Sequence, residues 1–267
     1  GVPYVITTQL GDVPGAIPDQ TDHLFRWLNP LIRPVWHGAA AVTTVSSFVA
    51  DLAHRAYGVR PILIPNGVNL AGRPRPPRQL NPSPRLLFVG RLNPQKNLPF
   101  LIELLGELKH LPWTLDVVGD GQQRLTLADL AERGGIGRRV RFHGWLGRTE
   151  VDAMLAGSEI LVFPSLVEGL PLALLEGLKF GLALAASDLP PLRELVETGQ
   201  NGILITPGDR DAWIVRVRDL INDPTRVLQM RQAGWALANQ FDLERITDRY
   251  EAVFADVLGS PRPEFPD

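Results

Sequence analysis

From Arg85 onward the chain alternates between short apolar runs and longer segments whose apolar positions recur at helical spacing. The runs at 86–89, 115–118, 140–142, 160–163, 182–185 and 203–205 have strand length. Helical patterns lie between them at 98–109, 122–132, 150–155, 171–179 and 191–196. Strands that are apolar almost throughout, separated by helices, predict a parallel sheet covered on both faces. Two further helices are predicted at 209–221 and 224–238. A last one, at 243–258, carries Ile246, Tyr250, Val253, Phe254 and Leu258 at helical spacing.

A shorter unit precedes this one, with strands predicted at 4–7, 41–45 and 62–64 and helices at 22–36 and 47–57. Ser46 or Ser47 is placed to cap the second helix. Pro74, Pro76, Pro77, Pro82 and Pro84 forbid helix and ladder in the stretch that follows, which predicts a linker and a boundary near residue 80. Three short strands in about 80 residues bury little core and leave open edges. The unit therefore reads as the second half of a domain whose first half is absent from this chain.

Composition narrows the chemistry. Of 267 residues, 45% are hydrophobic and 21% charged, and the formal net charge of -2 offers no footprint for nucleic acid or an acidic membrane surface. The absence of cysteine removes disulfides, thiolate metal sites and a cysteine nucleophile, and fits a reducing compartment. No apolar run reaches the ~18 residues of a membrane span. His23, His37, His54, His110 and His143 show no metal-ligand spacing. A dinucleotide G-x-G-x-x-G after the first strand, a P-loop and a G-x-S-x-G elbow are all missing.

Four strand ends carry candidate chemistry. Phe88-Val89-Gly90-Arg91 to Lys96-Asn97 puts two cations in a loop that opens a helix. Ligands of open parallel sheets sit at such carboxyl ends, and a diphosphate suits a forked and a point-charge donor. Ordinary solvated cations are the alternative. In the stretch from Phe163 to Gly177, a buried strand runs into a loop and a helix with Pro171 at its first position. Gly169 lets backbone approach a ligand, and the free amides at the helix start attract anions. Glu168 stands in the loop, whereas Glu176 sits inside the helix among apolar neighbours. There a carboxylate accepts from paired hydroxyls such as those of a ribose, or forms a buried ion pair. Gly119 lies in Val118-Gly119-Asp120-Gly121, which also fits a common tight turn. Val140 to Leu146 (with His143, Gly144, Trp145 and Leu146) suits a flat base resting on backbone, and equally core packing, the usual fate of aromatics beside strands.

These elements, in this order, resemble family-4 retaining glycosyltransferases of the GT-B fold. The resemblance spans nearly the whole chain. It rests on Ile64-Pro65-Asn66-Gly67-Val68, Gly90-Arg91…Lys96-Asn97, Val118-Gly119-Asp120-Gly121, Val140-Arg141-Phe142-His143-Gly144, Asn201-Gly202-Ile203-Leu204-Ile205 and Pro207-Gly208-Asp209. Most specific is the pair Glu168 and Glu176, which matches the family's E-x7-E motif. The implied fold class is α/β: a doubly wound Rossmann-like donor domain (81–240), an incomplete acceptor-side Rossmann-like domain (1–80), and a terminal helix (241–267) crossing back to it.

The resemblance implies that Arg91 and Lys96 neutralise the donor diphosphate as it leaves, without a metal or other cofactor, and that Glu168 contacts the transferred sugar. It further implies that Glu176 binds the ribose, that backbone at Gly90, Gly119, Gly169, Leu170 and Leu172 holds phosphate or sugar oxygens, and that His143, Gly144, Trp145 and Leu146 seat the base. Many relatives carry His-Gly where this chain has Gln9-Leu10 before Gly11-Asp12. The implied partners are a nucleotide-sugar donor (UDP- or GDP-sugar), a glycan or lipid-linked acceptor and the missing amino-terminal half, with no nucleic acid. The implied location is cytoplasmic, with peripheral association at the inner face of the membrane. A non-catalytic nucleotide-sugar-binding module, one chain of a split transferase, and a GT-B epimerase are the competing readings.

Overall fold

A computed structural model of the chain describes residues 2–15, 18–76, 81 and 83–259. Two of the linker prolines, Pro77 and Pro82, and the expected boundary at residue 80 lie outside the described residues. The chain divides into two compact units. The first comprises 1–69, 167–171 and 240–267, and the second 70–166 and 172–239.

The first unit holds β1 (Val5–Thr8), α1 (Pro18–Gly38), β2 (Ala41–Thr44), α2 (Ser47–Tyr57) and β3 (Ile62–Leu63). The strands form a parallel sheet in the order β1-β2-β3, so β1 and β3 are its edges. Both residues of β3 are exposed, and of the run expected at 62–64 only Ile64 is buried. Val13, Trp36, Val42, Val49, Leu52 and Tyr57 make one small core, with the Trp36 and Tyr57 rings stacked at 4.3 Å. The terminal helix of the chain, Leu243–Leu258, belongs to this unit. Its Ile246, Tyr250, Val253 and Val257 pack with Val5, Ala41 and Ile64.

Of the two serines at the start of α2, Ser46 is the cap. It is extended (φ -147, ψ 155) and its side chain accepts from Val49 N at 3.3 Å. Ser46→Ala removes this partner from a buried helix start and is expected to cost about 1 kcal/mol, read as a lower midpoint in urea unfolding.

In the second unit the strands are β4 (Arg85–Val89), β5 (Thr114–Val118), β6 (Val140–Gly144), β7 (Ile160–Phe163), β8 (Ala183–Ser187) and β9 (Gly202–Ile205). They form one parallel sheet in the order β6-β5-β4-β7-β8-β9. The chain thus steps outward from β4 to β6, returns to β4's other side and steps outward again, which is the doubly wound order expected. Every residue of β7 and β8 is buried, which a strand achieves only when both faces of its sheet are covered. The connecting helices are α3 (Leu98–Glu107), α4 (Arg124–Arg133), α5 (Arg148–Ala156) and α6 (Leu172–Lys179), followed by α7 (Arg210–Asn222) and α8 (Pro224–Leu237). Helix α3 packs on α4 and α7, and α6 packs on α8.

Three expectations are corrected. The segment 191–196 is not an α-helix: Pro190–Glu194 forms a 3-10 turn, since Pro190 and Pro191 withhold two successive backbone donors. Helix α6 begins at Leu172, leaving Pro171 just outside its first turn. The units part at Asn69, because the start of the expected linker is docked rather than free-running. Arg73 donates to Trp235 O (2.8 Å) and Asn239 Oδ1 (2.7 Å), lies 3.8 Å over the Trp235 ring, and Trp235 Nε1 donates to Pro74 O (2.9 Å).

Arg231, at 0% exposed, is the most buried charged side chain described. Its Nε donates to Gly181 O at 2.6 Å and its Nη1 lies 4.0 Å from Glu159. Burial lowers its pKa, against which Glu159 works. Glu159 in turn accepts from Arg85 N (2.7 Å) and Asn81 Nδ2 (2.9 Å), which ties the start of β4 to the start of β7.

Candidate functional site

The reversal of strand order falls between β4 and β7. In open α/β sheets this is where the two loops at the carboxyl edge diverge and leave a crevice for a ligand. The loop after β4 carries Gly90, Arg91 and Lys96, and β7 ends at Phe163. Leu166 N donates to Gln95 O at 2.8 Å, which joins the two loops. The Lys96 ammonium lies 5.0 Å over the Phe163 ring. It is thus held at the carboxyl end of β7 by an aromatic face, a contact worth ~0.5–1 kcal/mol when exposed. Asn97 closes the short 3-10 turn Pro94–Lys96 in the left-handed region (φ 53) and starts α3, which redirects the chain directly after Lys96. Arg91 is exposed.

Behind the cations, the ends of β4, β5 and β6 are knitted through backbone. Gly90 N donates to Val118 O (3.0 Å), Leu92 N to Asp120 O (2.9 Å) and Gly119 N to Gly144 O (2.8 Å). A β-carbon at Gly119 (φ +125) would lie 2.0 Å from Gly90 O, and one at Gly121 2.4 Å from Leu92 O. Close packing of three strand ends therefore accounts for glycine at 119 and 121 without a ligand. Asp120 accepts from Gly121 N (2.7 Å) and pairs with Arg124 (3.0 Å).

Along the β6 end, His143 Nε2 lies 2.7 Å from Asp116 Oδ1 on neighbouring β5. Asp116 is 6% exposed and His143 satisfies it, so the imidazole is committed to the sheet. Trp145 is 75% exposed, so core packing fails as its reading. Gly147 caps α5 through the Glu150 carboxylate (Gly147 N to Oε2, 2.8 Å), which starts that helix at Arg148 rather than at 150. Arg148 forms an ion pair with Glu176 on α6 and a second with Asp152 (3.0 Å). Burial disfavours the Arg148 charge, but Glu176 and then Asp152 outweigh it and hold its pKa above the ordinary value. The Glu176 side chain is only 16% exposed. Of its two alternatives the ion pair is thus realised; a carboxylate so held keeps acceptor capacity for hydroxyls. Arg148 carried no signal in the sequence beyond the Gly-x-x-Glu spacing from Gly147 to Glu150.

In the first unit, Asn66 Nδ2 donates to Leu170 O at 2.7 Å, and a β-carbon at Gly169 would lie 2.6 Å from Gln9 O. Glu168 and Leu170 are buried there, at 9% and 4% exposed. The Asp12 carboxylate accepts from Gln9 N (3.2 Å) and Leu10 N (3.0 Å), shaping the loop that lacks the expected His-Gly. In the second unit, Leu172 and Trp145 are exposed and Leu146 is half-buried. Among the described residues no group of three or more His, Asp or Glu side chains gathers to hold a metal, and no helix is long and apolar enough to cross a membrane.

The chain is 30% identical over 262 residues to glycogen synthase of Mycobacterium tuberculosis, covering 95% of this chain but 62% of that protein. It therefore spans about three fifths of that relative's length. Among solved structures, sucrose-phosphate synthase from Thermosynechococcus elongatus superposes with a TM-score of 0.82 at 22% identity, covering 96% of this chain and 68% of that one. Anabaena HepE, crystallised with UDP and glucose, superposes with a TM-score of 0.80 at 22% identity, covering 96% and 71%. These likenesses show the fold, which is of the GT-B type. Residues 75–235, which include β4 to β9 with every cation and carboxylate of the second unit's site, match the family described as glycosyl transferases group 1, and the chain belongs to that family.

Proposed function

We propose that the chain binds a nucleoside-diphosphate sugar through its second unit and serves transfer of that sugar to a glycan or lipid-linked acceptor. Configuration is retained and no metal is used. The observation that carries this reading is the meeting of the Lys96 loop with the end of β7 at the reversal of strand order. In this scheme Lys96 and Arg91 face the diphosphate, and Glu176 accepts from the ribose hydroxyls. The exposed Trp145 with backbone at Gly144 and Leu146 seats the base, since the His143 ring is engaged with Asp116. Gly90 and Leu172 offer backbone to phosphate oxygens. Glu168, Gly169 and Leu170 are assigned to the transferred sugar on the resemblance alone.

The acceptor hydroxyl oxygen bonds to the anomeric carbon as the bond from that carbon to the phosphate oxygen breaks. The hydroxyl proton passes to the departing phosphate oxygen on the same face. The protein's main contribution is electrostatic: fixed cations meet charge as it develops on the leaving group. A cytoplasmic location, with the membrane's inner face as a place of work, belongs to the same proposal.

The test is a thermal-shift panel of UDP-, GDP- and ADP-sugars, each with and without EDTA. A ligand at about 100 times its Kd stabilises by ~2.7 kcal/mol, which raises the midpoint by several degrees. One base series is expected to shift the midpoint, equally in EDTA. No shift with any of the three sinks the donor reading, and a shift abolished by EDTA sinks metal independence alone.

A further inference from the structure

The Arg148–Glu176 ion pair joins the first turn of α5 to the middle of α6, and no motif singled out its cationic member. We propose that Arg148 is a positioning residue for the nucleoside end of the donor, acting by fixing the Glu176 carboxylate in the orientation that accepts a ribose diol. This rests on the reading of Glu176 as the ribose acceptor.

Three observations carry it. First, Arg148 is anchored: it is the first residue of α5, the Gly147–Glu150 cap fixes the helix start, and Asp152 one turn on holds its Nε at 3.0 Å. Second, the exposures are unequal. The Arg148 side chain is 56% exposed and Glu176 16%, so the wet arginine holds a carboxylate that is mostly withdrawn from water. Third, the arginine contact falls on one carboxylate oxygen, Oε1. A carboxylate offers about four lone-pair sites, so one arginine contact leaves capacity for two hydroxyl donors. Glutamate has among the larger side-chain entropies to lose on being fixed. A partner that fixes it beforehand spares the ligand that cost, which is the physical content of preorganisation.

The experiment titrates the folded chain with UDP, GDP and ADP, and then with the 2′,3′-dideoxy form of whichever binds. It is repeated with Arg148→Ala, Arg148→Lys, Glu176→Ala and the double variant. For Arg148→Ala the ribonucleotide Kd is expected to rise about tenfold, with the dideoxy Kd unchanged. Arg148→Lys restores part of the loss, and the double variant is no worse than Glu176→Ala. Equal weakening of both nucleotide forms by Arg148→Ala would assign the arginine to direct contact or to folding and overturn the inference. Unchanged or tighter ribonucleotide binding overturns it too. If Glu176→Ala leaves the ribose preference intact, the ribose role of Glu176 fails first. If none of the three nucleotides binds the parent chain, the donor reading falls and this inference with it.

Discussion

Lys96→Ala is expected to weaken nucleoside diphosphate binding by about ten- to a hundredfold while leaving the affinity of the free nucleoside unchanged. A hydrogen bond to a charged group contributes about 1.5–3 kcal/mol, and each 1.4 kcal/mol is about tenfold in Kd. The prediction follows from where the ammonium is held. The 3-10 turn Pro94–Lys96 and the left-handed Asn97 fix the loop, and Phe163 at the end of β7 lies 5.0 Å beneath the charge. Removing the side chain deletes a cation at the reversal of strand order and leaves the sheet and its backbone links in place. The fold should lose no more than the ~0.5–1 kcal/mol of an exposed cation–ring contact. Arg91→Ala, at an exposed position in the same loop, is expected to act in the same direction but more weakly. Isothermal titration with nucleoside and nucleoside diphosphate checks both. Equal loss for the two ligands would mean that Lys96 supports the pocket rather than the phosphates, and no loss would remove it from the site.

The second unit's sheet was legible because its strands are buried on both faces. That condition forces continuous apolar runs, and the run at 160–163 is β7 to the residue. Edges were less legible. β3 is two exposed residues at the side of a three-stranded sheet, where no burial pattern is imposed. The strand ends with candidate chemistry were found because glycines and charges punctuate them, but their partners were not. Nothing local in Glu176 names Arg148, which lies 28 residues earlier on another helix. The pairing becomes visible only when β6 and β7 are placed in one sheet. The linker misled for a related reason. Its prolines forbid regular structure, but they do not forbid docking, and Arg73 anchors its beginning on Trp235 and Asn239 of the same unit. His143 shows the converse: a residue in a ligand-facing motif whose side chain is claimed by a buried carboxylate on the next strand.

Gly119→Ala is expected to destabilise the second unit by about 3–5 kcal/mol, more than any other single methyl group added at its strand ends. Two costs add. At φ +125 an L side chain occupies a region that costs of order 1–3 kcal/mol. The new β-carbon would also stand 2.0 Å from Gly90 O, a contact with backbone that no rotamer relieves. Overpacking of this kind costs about 1–3 kcal/mol more. Gly208→Ala separates the two terms, because Gly208 has φ +77 and nothing lies within 4 Å of the point where its methyl group would sit. Its cost should be the conformational one alone, about 1–2 kcal/mol. Urea unfolding of the two variants beside the parent gives the difference directly. If they prove equally stable, the close packing of β4 and β5 ends is not what demands glycine at 119. The stakes extend to the site, since the carbonyl that would be displaced belongs to Gly90, the residue from which the loop bearing Arg91 and Lys96 departs. A variant that relaxed by moving Gly90 should therefore also lose diphosphate affinity, whereas Gly208→Ala should keep it.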